Sequence, residues 1–207
     1  MTARELAFGH GVCRVGGITC PGLSGTALRL VAALLIGCCS LGAQADQSDS
    51  RLESLFAQLQ QAPDMYAAAT VEGQIWRIWL ESSSTEINRL MSEGVEAMNT
   101  GRLEAAIAWF DQIVDQAPDF AEGWNKRATA YYLNNQLEAS MADIRQTLTL
   151  EPRHFGAISG LGLIFLRLGD EASALRAFRE VLKIHPQSPS ANINARELAA
   201  KLGEKGA

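Results

Sequence analysis

Few side chains in this 207-residue chain are of types that do chemistry. The four cysteines, Cys13, Cys20, Cys38 and Cys39, are the types needed for thiolate catalysis, disulfides or a zinc site, but all lie in the first 39 residues. Beyond them stand two histidines, His154 and His185, each beside the end of a helical segment, His185 directly before Pro186. An imidazole in the last turn of a helix suits the negative end of the helix dipole. Joint metal ligation by the two is excluded, because they are 31 positions apart and so about one repeat apart on the same edge of the fold. No serine sits in a nucleophile-elbow pattern, and Gly160-Leu-Gly162 lies inside a helical segment, not in a phosphate loop. These residue types argue for no enzyme, no metal and no cofactor, and function must come from how helices present a surface.

The cysteines belong to an expected leader. Residues 1–29 carry Arg4, Arg14 and Arg29 against Glu5, an apolar run follows from Leu30 to Gly42, and Ala43-Gln44-Ala45 closes it. A basic start, a short apolar segment and a small-x-small exit make a cleavable signal peptide, 1–45, with export to a periplasm or beyond. Leu35-Ile36-Gly37-Cys38 also resembles a lipobox, which would instead anchor a lipoprotein at Cys38. An uncleaved anchor is a third reading, though the apolar run is shorter than a membrane span needs. Removing 1–45 leaves 162 residues with 15 basic and 22 acidic side chains, a net charge of about -7, and no cysteine. Packing, not disulfides, must then hold the fold. An acidic balance with no basic stripe argues against nucleic acid.

Periodicity supplies the elements. Pro118, Pro152 and Pro186 are spaced by 34 residues and again by 34. Before them run matching columns: Leu90, Gly94, Ala106 and Phe110; Trp124, Ala128, Tyr131, Ser140 and Ile144; Ile158, Leu161, Gly162, Phe165, Ala174 and Phe178. Small residues at Gly94, Ala128, Gly162 and at Ala106, Ser140, Ala174 let paired helix axes approach to about 8–10 Å. Leu90, Trp124, Ile158, Tyr131 and Phe165 are expected as the knobs between helices. Gly101, Asn135 and Gly169 fall where a left-handed turn residue is wanted, and each proline ends a second helix.

These columns fit the template W-x2-L-G-x2-Y, A-x3-F, P, and the chain resembles the tetratricopeptide repeat family over about 86–187. The resemblance implies an all-α fold, a right-handed α-solenoid of three tandem 34-residue helix-turn-helix repeats at about 87–120, 121–154 and 155–188. Glu93, Ala97 and Arg127 depart from the pattern and are expected to weaken repeats one and two, with Trp109 compensating for Ala97.

Residues 46–85 are expected to form an N-terminal helical cap and linker. Leu52, Leu55, Phe56 and Leu59 share one helical face; a second helix from about Met65 to Leu80 carries Ala68, Val71, Ile75, Ile78 and Trp79, with Trp76 at the edge. Ser82 to Thr85 signals a helix start. Residues 188–207 are expected as a C-terminal capping helix opened by Pro189, with Ile193, Leu198 and Leu202 facing repeat three, and a fraying tail.

In this family the first helices line a concave groove. Carried onto this chain, the lining is Asn88, Met91, Val95 and Met98; Glu122, Asn125, Thr129 and Tyr132; Gly156, Ser159, Leu163 and Leu166. Such a mixture suits an extended peptide or an amphipathic helix of a protein partner. The basic and amide clamp that grips a C-terminal carboxylate is not matched, since only Asn125, beside Lys126 and Arg127, approaches it. The resemblance thus implies a non-enzymatic scaffold or adaptor, in envelope assembly or cytochrome maturation, where such repeats recur. The alternative is an accessory subunit of a secreted enzyme complex. A competing reading of the same groove has the helix from Met65 to Leu80, with Trp76 and Trp79, filling it.

Overall fold

The computed structural model describes residues 46–203, and the expected leader and the last four residues lie outside them. Among the described residues the regular structure is helical: a 3-10 turn, Asp46–Ser48, then α1 (Arg51–Gln60), α2 (Met65–Leu80), α3 (Thr85–Asn99), α4 (Leu103–Gln116), α5 (Ala121–Leu133), α6 (Leu137–Leu150), α7 (Phe155–Arg167), α8 (Glu171–Ile184) and α9 (Pro189–Lys201). Helices α3 to α8 are three antiparallel pairs, one per repeat, stacked in order as a solenoid.

Each pair closes by the same local chemistry. Gly101, Asn135 and Gly169 have φ of 74°, 60° and 77°. This left-handed residue lets the next amide reach back to a carbonyl of the last turn: Arg102 to Ala97 at 2.9 Å, Gln136 to Tyr131 at 2.8 Å and Asp170 to Phe165 at 2.9 Å. The helix crossings are as tight as the small residues allow. A Cβ on Gly94 would stand 2.4 Å from the Phe110 ring, and one on Gly162 would stand 2.9 Å from that of Phe178. In repeat two Ile144 stands in the aromatic column and shares a cluster with Ala128, and the Ser140 hydroxyl adds a hydrogen bond to the Ala128 carbonyl at 2.7 Å.

The departures from the pattern have physical causes. Arg127 does not simply weaken repeat two. It donates to both carboxylate oxygens of Asp143, at 2.7 and 2.9 Å, and to Asp111 at 2.7 Å, joining α4, α5 and α6. Its guanidinium also covers the rings of Trp124 and Tyr131, which are therefore half-buried beneath a cation and not interior knobs. The hydrogen bonds that Arg127 donates to Asp143, partly opposed by burial, hold its charge more firmly than usual. In repeat three the same column carries Leu161, which shares an apolar cluster with Leu148 of the preceding repeat. That column faces the preceding repeat. Glu93 has none to face and is exposed, a polar outer surface for the first repeat. Ala97 is buried, and Trp109 packs against the same cluster from the surface under Arg89.

The α1–α2 pair is not a cap on repeat one. Its apolar faces share one cluster with α7, α8 and α9, and Leu80 alone joins the cluster of repeat one. Hydrogen bonds run from the Gln60 amide to the Lys183 carbonyl at 3.2 Å and from the Gln187 amide to the Ala62 carbonyl at 3.4 Å. Arg153 pairs with Glu53 at 2.8 Å and lies over the Phe56 ring. With Leu52, Leu59, Ile75 and Trp79 at 0–1% exposure, each burial is worth about 1.5–3 kcal/mol, so the hairpin is a fixed part of the fold. At the other end α9 packs through Ala191, Ala195, Leu198 and Ala199. Ile193 and Leu202 are 55% and 40% exposed, against expectation: Ile193 is two positions from Ala191, across the helix, and Leu202 lies past its last turn.

Candidate functional site

The first helices α3, α5 and α7 line the concave side, and α2 lies against the N-terminal ends of α5 and α7. Asp64 caps α2 by accepting from the amides of Tyr66 and Ala67, each at 2.9 Å. This sets the helix so that Glu72, Trp76 and Trp79 fall along its groove-facing side. Trp79 is 1% exposed and stacks flat on His154, with ring centroids 4.1 Å apart and planes inclined by 10°. Trp76 meets Trp79, His154 and Phe155 edge-on. Gly156 is what admits it, since a Cβ there would stand 2.6 Å from the far edge of the indole.

Beneath the tryptophans is a buried polar knot. His154 caps α7: its Nδ1 accepts the Ala157 amide at 3.1 Å, so Nε2 carries the hydrogen and donates to Glu122 Oε2 at 2.9 Å. The same oxygen accepts from Asn125 at 3.0 Å, and Lys126 Nζ lies 3.1 Å from Oε1 as an ion pair. Burial pushes the Glu122 carboxyl up, but the His154 hydrogen bond and the Lys126 charge outweigh it and hold the group below the ordinary glutamate range. Glu72 accepts from Trp76 Nε1 at 3.2 Å and faces His185 Nε2 at 3.3 Å. The hydrogen bond to His185 is the chief cause that lowers its carboxyl. Each histidine thus answers one glutamate. Among the described residues no group of histidine, cysteine and carboxylate side chains is placed to hold a metal.

This arrangement divides the twelve residues expected to line the groove. Glu122, at 1% exposure, is withdrawn into the knot and is not a groove surface; Met91, at 5%, is core of repeat one. Asn88 is exposed but closes the linker, accepting from the Ser82 amide at 2.8 Å and donating to its carbonyl at 2.7 Å. Val95 and Met98 are half-buried against repeat one, and Leu166 against the cluster beneath α2. Asn125, Thr129, Tyr132, Gly156, Ser159 and Leu163 are brought together around a cavity of about 300 Å³, which Glu72 and Trp76 of α2 also line, together with Ile144 of α6, Val181 of α8 and Ser188 and Ser190 at the start of α9. Helix α2 thus lies against the N-terminal ends of α5 and α7 through Trp76 and Trp79, while Tyr132 and Leu163, farther along those helices, are partly exposed among the described residues. Sequence reasoning missed Glu72 and Phe155 as site residues. The signal was present in two tryptophans on a helix outside the repeat and in a glycine at a lining position.

A helical-repeat solenoid with one concave groove, partly filled by a helix of its own chain, is the class that fold and site define. A tetratricopeptide repeat model matches residues 91–154 and again 125–189. A TPR repeat-containing protein of Rhizobium etli is 37% identical over 152 residues, which cover 73% of this chain and 74% of that protein. The chain belongs to the tetratricopeptide repeat family. A 152-residue match in a chain of 207 begins no later than residue 56, so it takes in all of α2. The Hsp70-Hsp90 organizing protein of Triticum aestivum is 30% identical over 97 residues, only 17% of its length. Among solved structures, the first TPR of Spaghetti (RPAP3) bound to the HSP90 peptide SRMEEVD gives a TM-score of 0.55 at 21% identity, covering 58% of this chain and 96% of that one. MamA gives 0.54 at 17% identity, covering 72% and 85%.

Proposed function

We propose that the protein is a non-enzymatic interaction scaffold, exported through its leader, that holds a peptide or amphipathic helix of a partner protein in the open half of the concave groove. The observation that carries this reading is the cavity between α2, α5 and α7, where Thr129, Tyr132, Ser159 and Leu163 face space that none of the described residues fills. Uncharged hydroxyl and aliphatic groups side by side suit a backbone and an apolar side chain at once. Affinity capture from the native host with the protein and with Tyr132→Ala and Leu163→Asp tests it: partners held by the groove are lost from both variants. If every captured partner binds the variants as it binds the parent, the groove is not the interaction surface. For export, mass spectrometry of the N-terminus in the native host is expected to find Asp46 first; a lipidated Cys38 would make the protein a membrane-anchored lipoprotein, and an intact Met1 in the cytoplasm would overturn export.

A further inference from the structure

The cavity under α2 differs from an open trough, and its chemistry restricts what enters. We infer that it is a socket for one bulky, uncharged, apolar side chain of the partner segment, an inference that rests on the groove reading above. Space comes from small residues: a Cβ on Gly160 would meet only Ile144 Cδ1, at 3.5 Å, and Ala128, Ser159, Ser188 and Ser190 also line the wall with short side chains. Enclosure comes from Trp76 and Glu72, which roof one side.

Charge decides the class of side chain. Both nearby carboxylates are already answered, Glu122 by His154 and Lys126 and Glu72 by His185 and the Trp76 indole. The nearest cations are committed as well: Lys126 to Glu122 and the Trp76 face, Arg167 to the Tyr132 carbonyl and ring. A charged side chain entering the socket would lose its water and find no counter-charge, which is costly; an apolar one loses nothing. At the mouth, the hydroxyls of Ser159 and Tyr132 have no hydrogen-bond partner among the described residues, and Leu163 is 38% exposed. The hydroxyls are free to bond the backbone that carries the anchor, with Leu163 as an apolar lip.

The test is selection of random linear displayed peptides on the purified protein, followed by affinity measurements on Gly160→Leu, which fills the socket, and on Gly73→Ala, which lies outside it with no heavy atom within 4 Å of the added methyl. The acidic peptide SRMEEVD serves as a charged comparison. The expected result is enriched peptides sharing one bulky apolar residue, bound equally by the parent and Gly73→Ala, at least about tenfold more weakly by Gly160→Leu, and more tightly than SRMEEVD. Circular dichroism establishes that Gly160→Leu is folded; if it is not, Leu163→Asp at the mouth carries the same readout. Enriched peptides that are charged and lack an apolar anchor, or that bind every variant alike, overturn the socket while leaving the groove reading in place. If nothing is enriched, both fall.

Discussion

Replacing Gly156 with alanine probes the seat of α2 with a single methyl group. The added Cβ would stand 2.6 and 3.0 Å from two carbons of the Trp76 ring and 3.3 Å from His154 Cε1, where carbon contacts prefer 3.5–4.0 Å. The ring must move by about 1 Å, but it is wedged edge-on against Trp79, His154 and Phe155 and bonded to Glu72. Overpacking of this kind costs about 1–3 kcal/mol. Alanine returns about 1 kcal/mol through its better helix propensity. The net is a loss of about 0–2 kcal/mol. Gly73 is the internal control: it lies in α2 with no heavy atom within 4 Å of a built Cβ, so Gly73→Ala gains the propensity term alone, about 1 kcal/mol. Urea denaturation followed by tryptophan fluorescence should place Gly73→Ala above Gly156→Ala by about 1–3 kcal/mol, and the near-ultraviolet dichroism of Gly156→Ala alone should change. Were Gly156→Ala to stabilise the protein as Gly73→Ala does, no indole would be resting on that glycine and the placement of α2 in the groove would be wrong.

Three other perturbations test the polar and backbone devices. Glu122 and Glu72 are held below the ordinary glutamate value of 4.5, so their stabilising contribution is complete above that pH and is lost as pH falls through the lowered values. Glu122→Gln, still facing His154, Lys126 and Asn125, should cost about 1–3 kcal/mol at neutral pH and make the acid-side fall of unfolding free energy shallower; an unchanged acid limb refutes the assignment. Arg127→Leu restores the family's usual residue yet should destabilise by about 2–4 kcal/mol, because Asp143, with a side chain 6% exposed, loses its cation; adding Asp143→Leu should recover most of that in the same urea assay. Asn135→Val forces a β-branched residue to a φ of 60° and should cost about 1–2 kcal/mol, whereas Asn135→Gly should be near neutral in thermal melts.

What was legible in the sequence was whatever is local or recurs. A left-handed turn residue, a proline after a helix and a small residue at a crossing each act within a few positions of themselves, and the 34-residue spacing stamps them three times. Contacts set by distant partners were not legible. Amphipathic stripes on α1 and α2 show which faces are buried, not against what; the answer lay in Gly156, Phe155 and His185, some 80–110 positions away. Arg127 misled for a related reason. Read alone it is a lost leucine, but Asp111 and Asp143, each sixteen residues away, turn it into a three-helix ion network.

The hairpin also alters how the array should be understood energetically. In a simple stack each repeat touches only its neighbours, so stability is close to a sum of repeat and interface terms and the ends fray independently. Here residues before the first repeat are buried against the third, and Gln47, just ahead of α1, holds the start of α5 through the Asp119 carbonyl and the Ala121 amide. The α1–α2 hairpin is tied across the groove, and repeats two and three cannot open without exposing Trp79, Ile75 and Leu59. The wall of the candidate site contributed by Trp76 is therefore held by the same buried packing that joins the hairpin to repeat three. A socket walled on both sides by packed helices is expected to discriminate by shape as well as by polarity, because admitting a larger group means disturbing that packing.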